Sequence, residues 1–329
     1  MPGDRMRLPA RDIPLPLSVS AQARAALATG AARETIASPE LGDVAGWRAY
    51  VTAMNARMQP YEEMVWSSPN FQIDVERVGD IDAYVLARKG AGEAEDRKVN
   101  FFLHGGGWVC FGGRTIVLPA AAAAHQFGGT VYAPDYRMPP DHFFPAALDD
   151  CLAAYREVLR RFSPGSVLVT GESAGGNLAA ALMLKARDVG LPPPGALYLN
   201  TPVLDLTHSS DSLATNWGVD VVLSSGVQGV ADFYRNGADP RDPYLSPLLG
   251  DLSRGFPPTY LRTGTRDLLL SDTVRMHATL RKAGVEADLY VGEAMPHGGF
   301  AILGAETPED VDARADLARW LSWRWIARD

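Results

Sequence analysis

Cysteine is scarce in this sequence: Cys110 and Cys151 are the only two in 329 residues. Two thiols cannot staple a chain of this size, and they match no spaced metal-ligand pattern, so neither a disulfide scaffold nor a metal site is expected. Free thiols and a cytoplasmic home are the expectation. Long apolar runs are missing too. No stretch approaches the roughly 18 consecutive apolar residues of a membrane span, and the alanine tract at 120–124 is far too short. Dense basic clusters are also absent. The formal charge is -8 and the 31 Lys and Arg residues are scattered, which leaves nucleic acid without an electrostatic footprint to bind. Arg5, Arg7 and Arg11 precede only a short apolar stretch broken by Pro14 and Pro16, so a signal peptide is not expected.

What is present is a globular composition, 47% hydrophobic and 21% charged. A chain this long can bury roughly three quarters of its unfolded surface, so one large core with appended elements is feasible. Residues 18–58 read as two amphipathic helices. Ser18 or Ser20 can cap a run that stops at Gly30, and Val44, Trp47, Val51, Met54 and Met58 recur at steps of three and four. Such helices either pack on the core or roof a pocket. After residue 70 the period shortens, with β-rich runs at 71–75, 82–86, 99–103, 130–133, 167–170, 196–200, 259–263 and 288–291. From the third run onward the intervals hold helix-like segments such as 146–162, 177–187 and 272–283. This alternation predicts an α/β architecture, an eight-stranded and mostly parallel sheet flanked by helices.

Residues 201–258 are too many for an ordinary crossover and mark an insertion. Within it, 225–235 offers a capped helix with Val227, Val230 and Phe233 inward, while Trp217, Val219, Val221 and Leu223 supply apolar bulk suited to cover a pocket.

The sharpest local signal is Gly171-Glu172-Ser173-Ala174-Gly175, between the strand-like SVLVT and the helix-forming NLAAALMLKAR. A serine at the apex of an abrupt strand-to-helix turn is a nucleophile elbow, and small residues two before and two after it relieve the crowding. A hydroxyl nucleophile needs a base, and of the six histidines, His297 in MPHGGF stands just after the last strand, on the sheet edge expected to carry Ser173. His125, His208 and His277 fall in helices or the insertion, where surface or packing roles suffice. Asp267, closing TYLRTGTRD, is the carboxylate placed to orient the imidazole. Asp272, five residues on, begins the next helix, where capping and the helix dipole account for it. The chain order Ser, Asp, His matches the hydrolase order. HGGGW at 104–108 follows a strand directly, and its glycines let backbone amides approach a substrate. Gly106 and Gly107, with the amide of Ala174, are the expected oxyanion donors, and His104 reads as structural.

With these motifs in hand, the sequence resembles the hormone-sensitive-lipase-like esterases, the bacterial family IV carboxylesterases of the α/β-hydrolase fold. HGGGW looks like that family's oxyanion signature, and DYRMPPDHFFPAALDD at 135–150 like its tyrosine-arginine-proline segment. GESAGGN and the Asp267 and His297 segments complete the match, which spans about 70 to 329. The resemblance implies a Ser173, Asp267 and His297 triad, an oxyanion hole at Gly106, Gly107 and Ala174, and no cofactor. It also implies a helical cap: N-terminal helices over 1–65, a catalytic core over 66–204 and 241–329, and a cap insertion over 205–240. Two departures stand out. Glu172 occupies a position that the family usually gives to Asp or Thr, and Pro139 one usually given to Ala, with Pro139-Pro140 a candidate cis bond.

The expected function is hydrolysis of short- to medium-chain acyl esters through an acyl-enzyme, with a small-molecule ester as the partner and no metal. A lactonase or amidase with the same triad, and a non-catalytic ligand-binding member of the fold, are the alternatives. Trp108, Trp217 and Phe233 are the candidate pocket walls, although packing accounts for them nearly as well. A homodimer is the candidate assembly.

Overall fold

The β-rich runs assemble, in a computed structural model, into one sheet of eight strands ordered β1-β2-β4-β3-β5-β6-β7-β8. The structure describes residues 12–32, 36–304 and 306–326, so Arg5, Arg7 and Arg11 lie outside the described residues. The strands are β1 (Phe71–Val78), β2 (Ile81–Arg88), β3 (Val99–Leu103), β4 (Thr130–Pro134), β5 (Val167–Glu172), β6 (Ala196–Asn200), β7 (Thr259–Gly264) and β8 (Ala287–Gly292). β2 pairs antiparallel with both β1 and β4, and all the other pairings are parallel. The central strands are largely apolar for a physical reason: β3 and β6 are buried along their whole length, as strands covered on both faces must be. β1, at the edge, alternates between exposed and half-buried positions.

In chain order the helices are α1 (Ala21–Ala31), α2 (Val44–Ala56), α3 (Gln59–Trp66), α4 (Glu93–Asp96), α5 (Val117–Phe127), α6 (Ala146–Arg161), α7 (Ala174–Asp188), α8 (Ser212–Thr215), α9 (Gln228–Arg235), α10 (Leu270–Lys282) and α11 (Pro308–Leu321). Alternate residues of β6 show how they divide. Leu197 and Leu199 join a core with α6, α7 and α10, whereas Ala196 and Tyr198 pack with Leu317, Trp320 and Leu321 of α11. α5 covers the same face as α11 further along the sheet, against Leu86, Phe102 and Val131. Three helices precede the sheet, not two. α2 ends at Ala56 and Pro60, near the start of α3, begins a new helix, the position proline tolerates because its missing N–H is not needed there. Of the two candidate caps for α1, Ser20 serves, accepting from Ala23 N at 3.1 Å. Among the described residues no helix is long and apolar enough to cross a membrane.

The N-terminal helices and the insertion meet above the sheet edge. Trp47 of α2 and Phe233 of α9 stack face to face, ring centroids 4.0 Å apart, over Val109 and Cys110. Stacking of this kind contributes about 1 kcal/mol beyond burial itself. α1 packs separately on Met295, Phe300 and Leu303, the segment that carries His297.

Candidate active site

Ser173 sits between β5 and α7 with φ 56° and ψ -119°, a conformation L-residues adopt only when the surrounding structure enforces it. Three main-chain bonds do so: Ser173 N donates to Asn200 O, and Ser173 O accepts from Asn177 N and Val203 N, at 3.0, 3.1 and 3.2 Å. The turn closes only because its flanks lack side chains. A Cβ on Gly175 would overlap the main-chain oxygens of Leu103 and His104. Gly175→Ala is therefore expected to destabilise the fold by about 3 kcal/mol or more, because the clash is with backbone that cannot rotate away. Chemical denaturation reads this directly, and a loss under 1 kcal/mol would mean the elbow is looser than its packing implies.

The 104–108 loop runs alongside. A Cβ on Gly105 would lie 3.1 Å from Glu172 O and 3.6 Å from the Ser173 Cβ, so glycine there lets the loop lie against the elbow. Gly106 and Gly107 have φ of 103° and 63°, and Gly106 O accepts from Val109 N and Cys110 N at 3.2 and 3.0 Å. Among the described residues the N–H groups of Gly106, Gly107 and Ala174 have no acceptor. His104 lies beneath this loop. Its Nδ1 donates to Gly105 O at 2.7 Å, Tyr136 OH donates to its carbonyl at 2.7 Å, and the two rings stack 4.2 Å apart. Burial pushes its pKa down to about 4, so it is a neutral prop for the loop.

Beyond β6, on the last two strands of the sheet, Asp267 follows β7 and His297 follows β8. His297 Nδ1 meets Asp267 Oδ1 at 3.2 Å, and both side chains are buried. Asp267 is itself held: Leu269 N donates to Oδ1 at 2.9 Å and Thr263 Oγ1 to Oδ2 at 2.7 Å. Burial alone would lower the imidazole pKa. The hydrogen bond and charge of Asp267, with Asp220 and Glu172, outweigh that and raise it above 6.5. The elbow and the histidine loop meet through their neighbours: Gly298 N donates to Thr201 Oγ1 at 3.3 Å, and a Cβ on Gly298 would stand 3.3 Å from Glu172 Oε1. Ser173 Oγ and His297 Nε2 have no hydrogen-bond partner among the described residues. No group of three His, Cys, Asp or Glu there is arranged to hold a metal ion.

A family model for the alpha/beta hydrolase fold matches residues 100–301 of this chain. An esterase of Acinetobacter venetianus is 31% identical over 231 residues, 69% of this chain and 76% of that protein. The crystal structure of an esterase superposes with a TM-score of 0.87 at 32% identity, covering 98% of this chain and 99% of the other. A second, an esterase from the bacterial hormone-sensitive lipase family, gives 0.77 at 30% identity over 94% and 100%. The chain belongs to the hormone-sensitive-lipase-like carboxylesterases. An acetyl-hydrolase of Streptomyces hygroscopicus is 34% identical over 58% of the esterase, which spans 64% of that relative's length.

Other expected residues of the esterase fall in different environments. Trp108 is fully buried and stacks on Tyr234 at 4.8 Å, and Phe233 is buried against Trp47. Both rings are taken up by packing and present almost no accessible face as pocket walls. Trp217 is 52% exposed. Asp272 does not cap its helix, as the sequence suggested. It is buried instead, accepting from Leu204 N at 2.7 Å, Asp205 N at 3.1 Å and the Ser210 hydroxyl, and burial pushes its pKa up to about 6. The start of the insertion supplies donors that outcompete the helix's own N–H groups for that carboxylate. Glu172 accepts from Asn200 Nδ2 at 2.8 Å. Pro139-Pro140 is cis, and so is Phe144-Pro145, which the sequence did not flag. A cavity of about 720 Å³ is lined in part by Arg48, Asn55, Val109 and Arg137, and Ser173, Asp267 and His297 do not line it.

Sequence reading missed Asp220 altogether. It lies in an apolar run, VDVVL, and the only local sign of its role is that a lone acid there has no reason to be buried unless something donates to it.

Proposed function

We propose that the esterase cleaves short- to medium-chain acyl esters with Ser173 as nucleophile, His297 as base and Asp267 as the carboxylate that orients and stabilises the imidazole. The observation that carries this reading is the buried Asp267–His297 contact, which commits Nδ1 and leaves Nε2 uncommitted on the sheet edge where Ser173 stands strained at its turn. His297 Nε2 takes the Ser173 proton as Oγ adds to the ester carbon. The oxyanion settles on the N–H groups of Gly106, Gly107 and Ala174, assisted by the positive N-terminus of α7. Collapse expels the alcohol, which receives the proton from His297. Water, deprotonated by the same imidazole, then attacks the acyl-enzyme and releases the acid.

A Cβ on Gly107 would lie 3.2 Å from Val230 of α9, so the insertion closes down on the oxyanion loop. Half-exposed Trp217 is the remaining candidate wall. The two cysteines are free, which accords with a reducing, cytoplasmic setting.

A fluorophosphonate probe tests the reading: one probe per chain on Ser173 supports it, and absence of labelling returns the chain to a binding role. The base must be neutral, and its pKa is raised. kcat/KM is therefore expected to rise with pH along a limb whose midpoint lies above 6.5. A rate flat from about pH 5 to pH 9 contradicts the assignment of His297.

A further inference from the structure

Asp220 lies in the insertion, yet its side chain is buried and touches three separate segments. Oδ2 accepts from Leu268 N, the residue after Asp267, at 2.9 Å. Oδ1 accepts from Val222 N and Leu223 N at 2.9 and 3.2 Å, and from His297 N at 3.4 Å. All four partners are main-chain donors. A proton on either oxygen would face an N–H, so this arrangement suits the carboxylate form, whose burial those bonds offset.

We propose that Asp220 is a positioning residue for ester hydrolysis: it sets the spacing of the Asp267 and His297 loops from the cap and puts a second negative charge beside the imidazole. The role rests on the triad reading above. The insertion is on this view part of the catalytic apparatus and more than a cover, because the same carboxylate that folds its own 220–223 turn also fixes both loops. The charged or titratable groups acting on His297 are Asp267, Asp220 and Glu172, and those acting on Asp220 are Asp267 and His297. Burial and Asp267 raise the Asp220 pKa while His297 lowers it. Each of the three acids favours the protonated imidazole, so deleting the Asp220 charge moves the pH at which His297 becomes a base downward.

D220N tests this. An asparagine has one acceptor oxygen, so either Leu268 N or the 222–223 turn is left facing an NH2 group. The expected result is a kcat lower by about tenfold or more, as small displacements of a catalytic pair produce, with KM changed less than about threefold and the acid limb of kcat/KM moved to lower pH. A wild-type kcat, or an unmoved limb, overturns the role. Should D220N not fold, D220E keeps the charge and alters the spacing. Its limb is expected to stay in place while kcat falls, and a wild-type kcat in D220E overturns the positioning role. Ser173→Gly measured alongside separates the two readings. If it retains activity the triad reading fails, whereas an inactive Ser173→Gly beside an unaffected D220N overturns Asp220 alone.

Discussion

Ser173→Gly is expected to leave the esterase folded, slightly more stable and catalytically dead. Ser173 holds φ 56° and ψ -119°, a conformation that costs a side-chain-bearing residue on the order of 1–3 kcal/mol and glycine little. Removing the side chain relieves that strain, less the extra chain entropy glycine brings to the unfolded state, for a net gain of about 1 kcal/mol in denaturant unfolding. The hydroxyl makes no hydrogen bond among the described residues that would be lost. Turnover of a nitrophenyl ester is expected to fall by about 10⁵-fold or more, because in the proposed mechanism Ser173 supplies the nucleophile. The loss of rate is diagnostic. A serine with no part in the chemistry would show no loss of rate, and activity within tenfold of wild type would remove Ser173 from the chemistry.

Asp267→Asn isolates charge from geometry. Its oxygen can still accept from Leu269 N and His297 Nδ1 while the NH2 group donates to Thr263 Oγ1, so every contact of the native carboxylate has a counterpart. What is lost is the negative charge that, in the proposed mechanism, stabilises the imidazolium as the proton transfers. A fall in kcat of about 10³- to 10⁴-fold is expected. The acid limb should also shift to lower pH, since Asp267 is the leading influence raising the imidazole pKa. Thermal unfolding should barely change. A loss smaller than about tenfold would place the charge-stabilising role elsewhere, with Asp220, buried beside both residues, the first group to test.

The eight strands were legible because Val, Leu, Tyr and Phe cluster in short runs bounded by turn residues, and the runs differ from the observed strands by only a few residues at their ends. α5 was not, because its alanine tract offers no contrast between an apolar and a polar face. α11 carried a readable signal that went unused: Thr307 and Asp310 form a capping box ahead of Leu317, Trp320 and Leu321. Asp272 was misplaced by a local rule. Its position at a helix start suggested a cap, but the insertion brings it donors from residues 204–210. Trp108 and Phe233 illustrate the same limit. The sequence shows that an aromatic lies near the site, and only packing shows that Tyr234 and Trp47 occupy its face.

The sequence by itself determined the succession of strands, the serine turn and the residue types of a hydrolase site, because each rests on chemistry carried within a few neighbouring residues. The tertiary structure alone decided that Asp220 joins Asp267 beside His297, how the N-terminal helices and the insertion join over the 104–108 loop, and which aromatics are left with a free face. Those depend on segments far apart in the chain arriving within hydrogen-bonding or van der Waals distance. Such contacts last only where a donor finds an acceptor or a ring finds a partner, and no local pattern encodes that meeting.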